Sequence, residues 1–250
     1  MPTRGKLKSN FMSKQWVIPD IHGCNRSLRS LVETQIVPSK DDRIFFLGDF
    51  VDRGPDSKGV LDYVMGLQQQ GYQVVAMKGN HEEFFVKAWD EEKELKSFMG
   101  FRQANRSKQQ WLKHGGIQAM ESFKTDHLLS VPEQYIEWMR NLPLYYELDK
   151  FVLVHAGLNF EIDDPFSDEE TMLWVREFKV RPHKIAFRRV IHGHVPVSLD
   201  FIDLTVKSAM YPFIDLDNGC YMNNRSGFGN LLGLELGSMD LRVQPNIDMD

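Results

Sequence analysis

Cysteine is scarce in this chain: Cys24 and Cys220 are the only two in 250 residues. They lie far apart without paired metal-ligand spacing, which argues against a disulfide scaffold and for a reduced, cytoplasmic setting. Cys24 is expected as a small buried residue at a helix start rather than a ligand. Long apolar runs are also missing, and none approaches the ~20 residues that a membrane span needs. Residues 1–14 are basic and polar, lack the apolar stretch of a secretory signal, and are expected to form a flexible extension. Basic excess is absent too, with 30 Lys and Arg against 35 Asp and Glu for a net charge of -5. That balance weighs against a general nucleic-acid binder. It leaves a nucleotide substrate open, because the field at a site can oppose the global sign. There are no internal repeats and no low-complexity stretch. What remains is an ordinary globular composition, 42% hydrophobic and 26% charged, expected to fold as one domain over residues 15–241.

Along the chain, Gln15 to Ile18, Arg43 to Leu47 and Tyr72 to Met77 are short runs of branched and aromatic residues, the pattern of buried strands. Between them, Asn25 to Thr34 carries Leu28, Leu31 and Val32 at helical spacing, with Asn25 as the expected N-cap. Asp56 to Gln70 repeats the pattern and Gly71 ends it. Strand–helix–strand–helix–strand is the order of right-handed crossovers in a largely parallel sheet. A charged helix over Glu82 to Lys96 follows, then Phe98 to Gln118 with weak periodicity. Together they predict a helical cap inserted over 82–130. Pro132 to Asn141 predicts a further helix with Pro in its first turn. After Pro143 come Leu144 to Leu148, Phe151 to Val154, Arg189 to Ile191, Phe201 to Leu204, Phe213 to Leu216 and Leu231 to Leu236. These short runs predict an antiparallel or mixed second sheet, with the tail after Leu241 frayed. The expected class is α/β, a two-sheet β-sandwich with flanking helices.

Five short segments concentrate the chemistry: Asp20-Ile21-His22-Gly23, Gly48-Asp49-Phe50-Val51-Asp52-Arg53-Gly54, Gly79-Asn80-His81-Glu82, Val154-His155-Ala156-Gly157 and His192-Gly193-His194. Four of the five directly follow a strand-like run, and strand ends in a layered sheet converge on one rim. Singly, each has a bland reading as a helix cap or turn. Jointly they supply complementary ligand chemistry in order, which turns alone do not explain. Phosphate-ester hydrolysis is among the slowest uncatalysed reactions, and an effective answer is two metals ~3.5–4 Å apart sharing a carboxylate. Asp20 and His22 can hold the first metal, Asp49 can bridge, and Asn80, His155 and His194 can hold the second. His81 with Asp52 forms an acid pair, and Arg53 can make bidentate contacts to phosphate.

These segments resemble the motifs of the calcineurin-like metallophosphoesterases over about Trp16 to Leu236. More narrowly they resemble the phosphoprotein phosphatase branch, which includes the serine/threonine phosphatases, the bacteriophage lambda phosphatase and the bacterial dinucleoside tetraphosphate hydrolases. The resemblance implies a metallophosphoesterase fold and two divalent cations, Mn²⁺ first, with Fe or Zn²⁺ as alternatives. It carries the first metal onto Asp20, His22 and Asp49, and the second onto Asp49, Asn80, His155 and a late His. Gly193-His194-Val195-Pro196 matches the branch pattern Gly-His-x-Pro, so His194 rather than His192 is the implied ligand. Pro196 stands where many other members carry a further His. A second phosphate-binding Arg is implied in a Trp-x-Arg element, which Trp174-Val175-Arg176 fits. Pro19 departs from the family, where a small residue is usual. The implied activity is a serine/threonine protein phosphatase in which hydroxide bridging the two metals attacks phosphorus. The alternative is a bis(5'-nucleosyl)-tetraphosphate hydrolase, with Phe101, Arg102, Arg106 and Trp111 available for the bases or for protein docking. A catalytically inactive metal-binding scaffold is disfavoured, because every ligand and the acid are present. Expected partners are a phosphoprotein or phosphorylated small molecule, with neither membrane nor general nucleic acid. Elsewhere, His114, His127 and His183 are expected at the surface or in structural roles, and His192 as a hydrogen-bond partner behind the ligands. Glu82 is expected to cap its helix, Asp90 to Lys96 to be a solvated face, and Asp217-Asn218-Gly219 a hairpin turn.

Overall fold

Near-continuous runs of branched and aromatic residues give a strand two apolar faces, and both faces must be covered. The computed structural model describes residues 13–97, 104–222 and 224–249; the expectations for residues 1–12, Phe101 and Arg102 lie outside these. In chain order the strands are β1 (Gln15–Ile18), β2 (Arg43–Phe46), β3 (Gln73–Ala76), β4 (Tyr145–Glu147), β5 (Phe151–Val154), β6 (Arg189–His192), β7 (Phe213–Asp215), β8 (Asn230–Glu235) and β9 (Leu241–Pro245). The helices are α1 (Asn25–Ser30), α2 (Ser57–Gln69), α3 (Asn80–Ser97), α4 (Arg106–Trp111), α5 (Ile117–Ser122), α6 (Glu133–Arg140), α7 (Glu169–Trp174) and α8 (Leu199–Lys207). One sheet has the order β3-β2-β1-β8-β9 and the other β4-β5-β6-β7. β1, β2 and β3 pair in parallel, as do β5, β6 and β7. The edge strands β4 and β9 run antiparallel to their neighbours.

Strand alternation assigns the layers. Val17, Phe45, Leu153, Ile191, Ile214, Leu232 and Leu234 come from both sheets and form one buried cluster between them. Trp16, Ile18, Ile44 and Phe46 point the other way and pack against the helices that follow β1, β2 and β3. Val152 and Val154 face a third layer with Leu158, Phe160 and Met172. Burial of each such side chain contributes about 1.5–3 kcal/mol, so packing rather than short-strand pairing holds the sandwich closed.

The two-sheet sandwich and its helices appear as expected, and six local expectations are corrected. Phe201 to Leu204 is not a strand but part of α8. There the Ser198 hydroxyl accepts the Phe201 N–H at 3.4 Å, and Ile202, Thr205 and Val206 are buried on one face. Leu231 to Leu236 joins the first sheet, not the second, through β1. The tail is not frayed: β9 pairs with β8, and Asp248 then accepts the Arg26 and Ser27 N–H groups at 2.7 and 2.9 Å. That carboxylate does the capping expected of Asn25, whose amide donates instead to Asp56 at 2.7 Å. Asp217-Asn218-Gly219 is no hairpin turn, since it leaves the parallel strand β7 and buries Asp217 and Asn218. Nor is Asp90 to Lys96 simply solvated. Arg140 grips Asp90 with two bonds of 2.6 and 2.8 Å, and Glu91 accepts the Arg106 and Ser107 N–H groups that start α4. Those contacts dock α4 against α3. Among the described residues, no helix is long and apolar enough to cross a membrane.

Candidate dinuclear metal centre

Parallel pairing brings the C-terminal ends of β1, β2, β3, β5 and β6 to one rim, and each ends in an expected site residue. Asp20 and His22 follow β1, Asp49 follows β2, Asn80 starts α3 directly after β3, His155 follows β5 and His194 follows β6. The Ile21 and His22 N–H groups both donate to the Asp49 carbonyl, at 3.0 and 2.8 Å, and stitch the first two loops together. The backbone turns sharply here. His22, Asp49, Asp52, Arg53 and His194 all have positive φ, from 49° to 74°, a region that non-glycine residues enter rarely and at a cost of order 1–3 kcal/mol. Glycine is required where the loops touch: a Cβ on Gly79 would lie 2.1 Å from Asp49 Oδ1, and one on Gly193 2.1 Å from Asp20 Oδ1.

Asp49 is central to the side-chain arrangement. Its Oδ2 lies 3.4 Å from His22 Nε2, and its Oδ1 lies 3.5 Å from His155 Nε2. His22 Nδ1 and His155 Nδ1 donate to the Val51 and Leu47 carbonyls at 3.0 and 3.1 Å. Both tautomers are thereby set, and the Nε2 lone pairs face the carboxylate. Asn80 Oδ1 sits 2.9 Å from both His155 Nε2 and His194 Nδ1. Donor atoms of His22, Asp49 and His81 lie within 4.8 Å of one another, as do those of Asp49, His155 and His194. Ligand atoms across an ion bound at ~2.0–2.3 Å are up to about 4.5 Å apart, close to the span of both groups, which share Asp49. Asp20 belongs to neither group, and both of its oxygens accept the His194 N–H, at 3.2 and 3.0 Å.

Burial governs the protonation. It pushes the Asp49 carboxyl up to about 7, with the charge on His81 opposing and that on Glu82 adding. Burial, then Asp217 and Asp49, raises Asp20, and burial lifts Asp217 to about 6. Burial, then Arg53, holds His22 down, and burial, then His194, holds His155 down. Neutral imidazoles beside carboxyls that give up their protons only reluctantly form a donor set that a cation would complete.

Arg53 donates to His22 Nε2 at 2.9 Å and to His81 Nε2 at 3.0 Å. His81 Nδ1 meets Asp52 Oδ2 at 2.6 Å. Burial lowers His81 to about 4 and raises Asp52, so a free charge is disfavoured on either partner of this dry pair. Arg176 is exposed just beyond α7, and after burial its cation is the next cause that lowers His194. His192 does not join this group. Its ring packs between Phe178 and Phe213, with centroids 5.1 and 5.8 Å away. His114, His127 and His183 are all exposed, and the His114 ring also stacks on Phe84 at 5.0 Å.

Four residues matter here beyond their expected roles. Glu82 does more than cap its helix: besides Gly79, it accepts the N–H groups of Asp49, Phe50 and Val51. Trp111 is fully buried against Asp52, which removes it from the base-binding or docking role expected of it. Asp217 lies buried beside Asp20, and its Oδ2 meets no hydrogen-bond partner. An Asp two positions past the apolar run of β7 was the signal available for it. Tyr221 supports Arg53, whose guanidinium lies 4.4 Å from its ring centre, and nothing in the sequence marked it.

The family described as calcineurin-like phosphoesterase matches residues 13–198. A symmetrical bis(5'-nucleosyl)-tetraphosphatase of Coxiella burnetii is 27% identical over 199 residues, 78% of this chain and 58% of that protein. The enzyme of the same name from Aromatoleum aromaticum is 31% identical over 145 residues, covering 57% of this chain and 44% of its own. The chain thus spans only about half the length of these relatives. Among solved structures, one assigned as a candidate diadenosine tetraphosphatase is 20% identical with a TM-score of 0.57, each chain 95% covered. A Saccharomyces cerevisiae protein serine/threonine phosphatase is 14% identical with a TM-score of 0.59, covering 97% of this chain and 83% of its own. At such identities the structures establish the shared fold.

Proposed function

The chain belongs to the calcineurin-like phosphoesterase family, and on that premise we propose that it is a metal-dependent hydrolase acting on a dinucleoside tetraphosphate. The observation that carries the chemistry is the Asp49 carboxylate, set between two groups of nitrogen donors with one oxygen toward each. The substrate class is supported by the curated relatives, which are named for symmetrical cleavage of bis(5'-nucleosyl) tetraphosphates. That support moves the reading away from the serine/threonine protein phosphatase that the motifs favoured. The two activities share this fold and this rim, so the protein phosphatase stays as the second reading, separated only by substrate.

In this reading Asp49 would help hold two divalent cations from its place between the two donor groups. Asp20 and His22 would hold one of them with it, and Asn80, His155 and His194 the other. Such cations lower the pKa of water and neutralise charge on the phosphoryl group. Mixed oxygen and nitrogen ligation suits Mn²⁺, with Fe or Zn²⁺ also matched to these donors. Arg53 holds phosphoryl oxygens with the guanidinium that now spans His22 and His81, and Arg176 serves as a second clamp from across the rim. The negative phosphoryl group beside His81 offsets the burial that lowers it. His81 then gives its Nε2 proton to the leaving oxygen while Asp52 holds Nδ1. The helical segment 82–130 acts as a cap beside this rim.

Parallel assays with diadenosine tetraphosphate and a phosphothreonine peptide, each with Mn²⁺, test the proposal. The expected result is nucleoside diphosphate from the first and little phosphate from the second. Turnover of the peptide alone would replace this reading with the protein phosphatase.

A further inference from the structure

Trp111, the last residue of α4, reaches the acid pair from the helical segment. It is fully buried, and its Nε1–H faces both carboxylate oxygens of Asp52, at 2.9 Å each. Asp52 Oδ2 is also the atom that meets His81 Nδ1 at 2.6 Å, and the Asp52 N–H donates to the Ser57 hydroxyl at 2.9 Å. A carboxylate tied to one imidazole alone keeps a soft torsion about its last bond. A donor straddling both oxygens removes that freedom. The indole cannot swing away. One face stacks on Phe85 with centroids 4.3 Å apart, and Gly116 comes so close that a Cβ there would lie 2.5 Å from the ring. One turn on, the Gly115 carbonyl accepts the Arg53 N–H at 3.2 Å, so this segment touches both members of the Asp52-Arg53 pair.

We propose that Trp111 is a positioning residue for proton transfer, its indole N–H fixing the Asp52 carboxylate in the plane that aims His81 Nε2 at the leaving oxygen. This rests on the reading of His81 as the acid. A large buried Trp is often packing alone, so the test removes the N–H and keeps the shape. Two Mn²⁺-loaded variants are compared with the parent: W111F, and a chain carrying the sulfur isostere benzothienylalanine at position 111 alone. The substrates are p-nitrophenyl phosphate, whose leaving group needs little protonation, and phenyl phosphate, whose leaving group needs much. General acid catalysis is typically worth 10²–10⁴-fold, so loss of aim should lower kcat on phenyl phosphate by roughly tenfold or more. The p-nitrophenyl ester should lose less than about threefold, with KM little changed on either substrate. H81N should show the same split, larger. Wild-type kcat of the isostere on phenyl phosphate, or equal loss on both esters, would reduce Trp111 to packing and overturn the proposal. An H81N protein without the split would instead remove the acid reading beneath it. If W111F does not fold, the isostere decides the matter.

Discussion

Glu82 gathers four backbone N–H groups, from Gly79, Asp49, Phe50 and Val51, at 2.8–3.3 Å. It is completely buried and ties the loop that carries the Asp49 carboxylate to the start of α3. Glu82→Gln keeps the shape but turns one acceptor oxygen into an N–H donor facing N–H groups. An orphaned buried donor costs about 1–3 kcal/mol, so the variant should lose at least about 2 kcal/mol. Urea unfolding would read this as a lower midpoint at unchanged slope. The candidate ligand residues were legible in sequence because each follows a strand closely and brings a recognisable donor. Trp111, Tyr221 and Asp217 escaped because their roles come from contacts across 59, 168 and 197 positions of chain, counted from the numbering to Asp52, Arg53 and Asp20. Glu82 was legible as a cap, and its grip on the Asp49 loop was not.

At the scale of elements, strand–helix alternation in the first third was legible because β1, β2 and β3 are apolar runs joined by helices with clear 3–4 spacing. α8 was misread because four residues, Phe201 to Leu204, cannot separate a period of two from one near 3.6. Its hydroxyl cap and the buried Ile202, Thr205 and Val206 decide the matter only in three dimensions. The tail after Leu241 is polar and short, and its order comes entirely from pairing with β8 and from Asp248. Asp248→Ala should therefore cost about 1 kcal/mol, the usual worth of a cap. It should also speed amide exchange at Arg26 and Ser27, 222 and 221 positions away. Unchanged protection there would show that the tail does not cap α1.

On the scale of the whole molecule, two mixed sheets present their parallel strand ends to one rim, and the loops there bend through unfavourable φ to bring Asp49 between two donor groups. The sandwich and its flanking helices were legible from order and periodicity. The assignment of β8 to the first sheet was not, because strand order is a property of packing. In the proposed function Asp49 is shared between two cations. The direct measurement is divalent metal per chain, by elemental analysis after Mn²⁺ loading, for the native protein and Asp49→Asn. Protons compete for a carboxyl held at about 7, so native occupancy should fall as the pH drops from 8 through that value. The account predicts two Mn²⁺ per native chain at pH 8 and fewer than one for Asp49→Asn, with folding retained by circular dichroism. A single ion in the native protein, or two in the variant, would contradict it.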